Sequence, residues 1–472
     1  MSMEKRIAEL EALVQQQREQ IAQLLARNTE LEAQVAQAQR DSHSSSKPPS
    51  SDGLKRKTRS LRKPSGKRAG GQLGHRGETL HLVAIADTIM EHRPAICVHC
   101  HALLVDEPAF LRERRQVYEL PAVRLRVNEH QALHVRCPAC QRVSVGAFPA
   151  EAPSRAQYGP QLRALAVYLV EEQFVPLGRV QQLLGDLFGL HLGRGTLVSW
   201  IQRAGGVLAP VEAQLKVALQ GARVLHNDET GVRCAGRVAW AHVASTRRLT
   251  HYGLHAKRGR EATDAIGILP DYTGVSVHDG WQPYRTHTRC RHALCNIHHL
   301  RELTFLEEHY QQTWAAELKA LLLEMKHTVE QARARGARTL PEGERRAFRA
   351  RYHALLAAGL AANPPPLRRQ GQRGRLRQSP ARNLLERLLL GHNEVLAFLE
   401  DLTIPFDNNQ AERDLRTLKV HQKVSGCFRS HTGADAFMRL RSYLSTLRKQ
   451  GHALLDALRT VFAGPLLYPD FA

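Results

Sequence analysis

Three carboxylates stand where the chain changes character. "ARVLHNDET" is a short apolar run ending in acids, with Asp228 at its end, and "TGVSVHDGW" is a second, ending at Asp279. In "IPFDNNQAERDLRTLKVHQK" one acid, Glu412, sits in the first turn of an expected helix, with Arg413, Arg416, Lys419 and Lys423 behind it. If the two runs are neighbouring strands, Asp228 and Asp279 emerge on one edge of a sheet, and Glu412 can complete the cluster from a late helix. Crowded carboxylates repel one another, so such a cluster is stable mainly as a divalent-cation site. Two Mg²⁺ ions about 3.5 to 4 Å apart can activate an attacking oxygen and stabilise a leaving oxygen in a phosphodiester displacement. The neighbouring basic side chains would then hold nucleic-acid phosphates. Singly, each acid reads better as a turn or cap residue. The force comes from three acids in a suitable order within a basic chain.

Other acids compete for these roles. Asp271 lies in the turn signal "PDYTG". Glu229 follows Asp228 directly and is expected on the opposite face of an extended strand. Asp407 reads as a turn or cap residue, and Asp414 lies two positions beyond Glu412, off its face.

Thiols and imidazoles form two further sets. "CVHC" and "CPAC" place Cys97, Cys100, Cys137 and Cys140 as two C-x2-C knuckles that can supply four thiolates to one structural Zn²⁺. The intervening "RRQVYELPAVRLRVNEHQALHVRC" alternates like strands, which suits a zinc ribbon with a long spacer. His99 and His101 leave that ligand set slightly open. Cys295, His298 and His299 in "CNIHHLREL" also have the chemistry of ligands, but they would be cramped and no fourth partner is evident. Cys295 and His298 are therefore read as supporting the acidic site. Cys234, Cys290 and Cys427 read as buried or incidental.

The elements that must position these residues follow from composition and period. The chain has 472 residues and a formal net charge of +22. That excess argues for a polyanionic partner, nucleic acid first. No apolar run approaches the ~20 residues of a membrane span, and the N-terminus lacks the apolar stretch of a signal peptide. A cytoplasmic, nucleoid-associated protein without a membrane partner is expected, with cysteines used for metal or burial rather than disulfides.

Residues 1–40 follow a heptad, with Ile7, Val14, Ile21, Asn28 and Val35 at a and Leu10, Gln17, Leu24 and Leu31 at d. β-branched a and Leu d residues favour a parallel two-stranded coil, and one Asn at a fixes its register. Residues 41–90 are too polar and basic for a core and read as a disordered linker. Residues 91–150 are the expected zinc ribbon. Residues 151–220 read as helices, with a Gly-containing turn that suits either a helix-turn-helix or an ordinary connector. Residues 221–430 run as three strands, a helix and two more strands, the order of an RNase H-like α/β sheet, with a helical insertion at about 305–400. Residues 431–472 close the chain as helix. The expected fold class is thus multidomain α/β.

Together the zipper, the "SSSKPPSSD" linker, the C-x2-C pair, "NDET", "DGW", a C-x-x-H element and "DNNQAERDLR" resemble the DDE transposases of the insertion sequence sixty-six family. The resemblance spans nearly the whole chain. It implies a metal-dependent transposase with an RNase H-like core whose acids map onto Asp228, Asp279 and Glu412. Its C-x-x-H element maps onto Cys295 and His298. Asn296 stands where Trp is more usual, and His299 with Leu300 replaces a more basic pair. The implied reaction cuts a DNA strand at the end of a mobile element, and the freed 3′-OH attacks target DNA. The implied partners are element-end and target DNA and a second copy of the chain or more, with accessory proteins left open. Two rival readings are a DNA-binding regulator without catalysis and an RNase H-like nuclease without strand transfer.

Overall fold

The computed structural model describes residues 3–38, 74, 79–121, 124–366, 376 and 378–472. Most of the expected linker, including its "SSSKPPSSD" stretch, lies outside the described residues. The heptad segment is one helix, α1 (Met3–Ala38). Ile7, Leu10, Val14, Ile21, Leu24, Leu31 and Val35 are exposed along it. Next comes a short antiparallel ladder of β1 (His134–Arg136) and β2 (Val143–Val145), with His134 opposite Val145. The expected strand alternation across 114–137 is realised only in its last residues, as β1; the described residues from Arg114 to Leu133 form no strand. Alternation specifies a strand only where one face is covered. Val117, Leu120 and Val127 remain exposed, so no burial enforces pairing.

Four helices follow: α2 (Pro160–Val167), continued by a π-helical turn at Tyr168–Glu172, then α3 (Leu177–Phe188), α4 (Arg194–Val207) and α5 (Ala209–Gln220). Gly189 ends α3 in the left-handed region, at φ 64°, the conformation glycine adopts without steric cost.

The central sheet is built from β3 (Val224–Cys234), β4 (Arg237–Ser245), β5 (Thr250–His255), β6 (Val275–His278) and β7 (Arg291–Leu294). Helices α6 (Arg260–Ile266) and α7 (Gln282–Arg285) lie in its connections. The strand order is β5-β4-β3-β6-β7. β3, β4 and β5 are antiparallel neighbours, whereas β6 runs parallel to β3 and β7 parallel to β6. The fold is thus a mixed α/β structure, as expected. The fifth expected strand, "RHALCNIHH", stops at Leu294. Asn296 already opens helix α8 (Asn296–Tyr310). Leu300, Leu303 and Leu306 bury at helical spacing in the cluster formed with β6 and β7, and that period overrides the strand reading.

Both faces of the sheet are apolar and covered. Val232, Ala239, Ala241, Val243 and Tyr252 share one cluster with helices near the C-terminus. Leu225, Ala244 and Leu249 share another with Leu215 and Leu219 of α5. Among the described residues five helices separate α8 from the late acid: α9 (Thr313–Ala334), α10 (Glu342–Ala362), α11 (Pro380–Leu390), α12 (His392–Val395) and α13 (Ala397–Glu400). They pack on β6 and β7 through their own core. The chain then returns as α14 (Asn409–Ser425) and ends with α15 (His431–Lys449) and α16 (Leu454–Ala463). α15 and α16 share a core with α2, α3 and α4. No helix among the described residues is long and apolar enough to cross a membrane.

Candidate active site

The register places Asp228 within the central strand β3, opposite Val243 of β4, rather than at a strand end as expected, and Asp279 at the end of the neighbouring β6. The β3/β6 ladder pairs His226 with Val277, and the β6/β7 ladder pairs His278 with Leu294. Asp228 lies two residues beyond the first of these pairs, and Asp279 directly follows β6. Glu412 enters from the first turn of α14. The Asp228 carboxyl is pushed well above its usual range. Burial is the largest cause, followed by repulsion from Glu229 and Asp279, with Glu412 contributing as well. Asp228 thus feels the charge of both other acids, although among the described residues the ligand atoms within 4.8 Å of one another are those of Cys295, His298 and Glu412, not of the three acids. Glu412 Oε1 is buried without a hydrogen-bond partner. Uncompensated negative charge and an orphaned carboxylate oxygen fit a cation at this site.

Asn408 ties the site together. It is 1 % exposed and caps α14. Its Nδ2 donates to the Asn227 carbonyl at 2.8 Å, and His226 Nδ1 donates to its Oδ1 at 2.9 Å. Its backbone N–H donates to Cys295 Sγ at 3.2 Å, and the Asn296 N–H donates to the Phe406 carbonyl at 3.0 Å. The strand carrying Asp228, the end of β7 and the helix carrying Glu412 thus meet at one residue. Asp407 is a turn residue whose Oδ1 accepts the Asn409 N–H at 3.0 Å. Asp414 is buried against Lys449, at 2.9 Å, and Asp271 pairs with Arg289 in an exposed turn. None of these three joins the cluster by these contacts.

Glu229 lies on the opposite face of β3 from Asp228, as expected, on the side of Leu225 and Tyr284. It follows Asp228, yet its carboxylate acts on both Asp228 and Asp279. It is held by the Arg258 guanidinium at 2.7 Å and by the Tyr284 hydroxyl. Arg258 in turn stacks over Trp281 at 4.1 Å and Trp240 at 4.9 Å. Only the adjacency of Glu229 in "NDET" could have signalled this group; Arg258 sits in a connection with no local motif. The loop after Asp279 is fixed similarly. Gly280 has φ 93°, and its N–H donates to His278 Nδ1 at 3.0 Å. His278 must then donate from Nε2 to His292 Nδ1, at 3.1 Å, and His292 from Nε2 to the His287 carbonyl. Asp279 Oδ1 accepts the Trp281 N–H at 2.8 Å.

Cys295 is fully buried and caps α8, and His298 lies in the first turn. His298 Nε2 is 4.0 Å from Glu412 Oε1. Both residues therefore stand beside the acid they were expected to support. Arg413, Arg416, Lys419 and Lys423 are exposed along α14. Lys419 Nζ donates to the Gly231 carbonyl at 3.1 Å, which sets this basic face against β3.

The two C-x2-C segments have matching geometry. The Cys97 N–H donates to the Ala102 carbonyl and the Cys137 N–H to the Arg142 carbonyl, each at 2.8 Å. His101 and Gln141 both take a positive φ, 59° and 57°. Backbone N–H groups aimed at the Cys97 and Cys137 sulfurs lower both thiols. Each knuckle thus fits half of a thiolate zinc site. The halves are not gathered, however: among the described residues, the group of three or more metal-ligating side chains lying within 4.8 Å of one another is Cys295, His298 and Glu412.

Residues 2–81 match a family of unknown function, DUF6444. The chain is similar to an uncharacterized protein, y4jD, of Sinorhizobium fredii, at 25% identity over 408 residues, covering 80% of this chain and 77% of that one. Residues 155–436, more than half of the chain and including all three acids, match the model described as Transposase IS66 family. The chain belongs to the IS66 transposase family.

Proposed function

We propose that this protein cuts DNA at the ends of a mobile element and joins the freed 3′-OH to target DNA, using Asp228, Asp279 and Glu412. The observation that carries this reading is that Asp228, in the central strand, feels the charge of Asp279 at the end of β6 and of Glu412 at the start of α14, beside an exposed basic helix face. The strand order, three antiparallel strands followed by two parallel ones, supports an RNase H-like core.

The three acids would hold divalent cations, Mg²⁺ by chemical type, which when bound activate the attacking oxygen and stabilise the leaving oxygen. The chain itself does the positioning. Asn408 and Cys295 fix the start of α14 and with it Glu412. The Gly280 turn aims Asp279. Arg258 and Tyr284 hold Glu229 at the margin, so that its charge is partly neutralised. Arg413, Arg416, Lys419 and Lys423 bind phosphates and set the strand along the sheet edge. No Ser or Tyr nucleophile is assigned, because the attacking groups are water and then a DNA hydroxyl. The two knuckles and the exposed Ser199, Gln202 and Arg203 of α4 are further DNA contacts, and α1 pairs with a second copy.

The test is Mg²⁺-dependent cleavage and joining of an element-end duplex. Asp228→Asn, Asp279→Asn and Glu412→Gln should each lower cleavage by orders of magnitude. Metal-free DNA binding should survive or tighten, since a negative charge beside the phosphates is removed. Cleavage by Glu412→Gln at the wild-type rate sinks the assignment. Cleavage without joined products favours a nuclease, and binding without cleavage by the wild type favours a regulator.

A further inference from the structure

We propose that Cys295, His298 and Glu412 bind one Zn²⁺ ion beside the hard-cation site, sharing Glu412 with it but neither Asp228 nor Asp279. The inference extends the reading of Glu412 given above. Each of the three side chains offers one ligand atom, and these atoms all lie within 4.8 Å of one another. Bond lengths to zinc of about 2.0 to 2.3 Å imply tetrahedral ligand separations of roughly 3.3 to 3.8 Å. The 4.0 Å between His298 Nε2 and Glu412 Oε1 therefore needs only a small closing movement.

Two further observations point to a ligand. Glu412 Oε1, one atom of that 4.0 Å contact, is buried without a hydrogen-bond partner, and so is His298 Nδ1. The Cys295 sulfur already accepts the Asn408 N–H at 3.2 Å, the kind of surrounding bond that orients a thiolate ligand. The donor set decides the metal. One sulfur, one imidazole nitrogen and one carboxylate oxygen suit Zn²⁺, whereas Mg²⁺ demands oxygen donors in octahedral geometry. Three protein ligands leave a fourth position for water. Cys295 and His298 belong to the first turn of α8 and Glu412 to the first turn of α14, so two helix N-termini face the anionic ligands. On binding, the Cys295 thiol transfers its proton to solvent and a sulfur–zinc bond forms.

The experiment counts zinc per full-length chain after equilibration with Zn²⁺ in a large excess of Mg²⁺. Wild-type protein should hold one zinc more than Cys295→Ser and one more than His298→Gln, with zinc affinity at the third-ligand site weakened at least about tenfold in each variant. His298→Gln removes the ligand at a partly exposed position, so it remains informative if the buried Cys295→Ser change impairs folding. Asp228→Asn should keep the extra zinc. Equal zinc in wild type and His298→Gln overturns the proposal, as does loss of the extra zinc from Asp228→Asn, which would place the ion on the acidic cluster instead. If Glu412→Gln cleaves DNA normally while losing one zinc, the catalytic assignment fails and the zinc site stands.

Discussion

Asn408 joins residues that are far apart in the chain: its Oδ1 partner His226 is 182 positions away. Asn408→Ala would leave the His226 N–H and the Asn227 carbonyl unpaired in a buried place, at about 1–3 kcal/mol for each group. The expected result is a lowered melting temperature together with slower cleavage at saturating Mg²⁺ and unchanged DNA affinity. A lowered melting temperature with a wild-type cleavage rate would reduce Asn408 to a purely structural role. Glu171 shows a different residue-scale effect. It is 3 % exposed, and burial raises its carboxyl to about 8, with Arg441 opposing. Arg441 pairs instead with Glu172. A carboxyl raised on folding binds its proton more tightly in the native state, so stability falls as pH rises from about 4.5 to about 8. Glu171→Gln should remove that fall and raise stability at pH 8 by a few kcal/mol. Denaturant melts of both proteins at pH 5 and pH 8 check this; parallel pH dependence would contradict it. The sequence made the acids visible because two apolar runs each end in one. It could not show Asn408 or Arg258 at the site, because their partners are set by tertiary contact and leave no local period.

Elements were legible where their period was strong. β4, β5, α6 and β6 fall within the runs that alternation and turn residues mark out, whereas β3 continues past its run to Cys234 and leaves Asp228 within the strand rather than at its end. α15 was visible as a helix, but its position was not. Its Ser442 and Thr446 hydroxyls, one turn apart, accept the Tyr252 and Thr250 N–H groups of β5 at 2.8 and 3.0 Å. A helix at the chain's end thereby covers an open sheet edge, which would otherwise invite pairing with another chain. Neither hydroxyl carries a signal in sequence, since Ser and Thr at i, i+4 are ordinary on a solvent face. The knuckles are the converse case. C-x2-C is legible locally, and the turns around Cys97 and Cys137 are alike, but convergence of the two halves depends on a long spacer without regular structure among the described residues. If one zinc gathers all four sulfurs, Cys137→Ser should lose that metal and leave residues 91–150 protease-sensitive, because structural zinc supplies folding energy directly. Zinc content and digestion rate equal to wild type would rule out the four-thiolate site.

At the scale of the whole molecule, two features leave the folded core incomplete. One is the net charge of +22, which favours association with polyanions and opposes self-association through repulsion. The other is α1, a 36-residue helix with an apolar seam facing solvent. Seven exposed large apolar side chains on one seam would each recover roughly 1.5–3 kcal/mol if fully buried, so a second copy of α1 is the simplest cover. Asn28 interrupts the seam at an a position, where a polar residue lowers stability while fixing register and chain number. Asn28→Leu should therefore raise the melting temperature of the α1 assembly and broaden its oligomer distribution beyond the dimer. Sedimentation of the full chain at several concentrations, with and without a DNA duplex, separates the two forces. DNA neutralises the repulsion, so the dimer should tighten on adding duplex, and high salt without DNA, which screens the same repulsion, should tighten it too. A wild-type chain that stays monomeric at high micromolar concentration with DNA bound would show that the seam is covered by something other than a second copy.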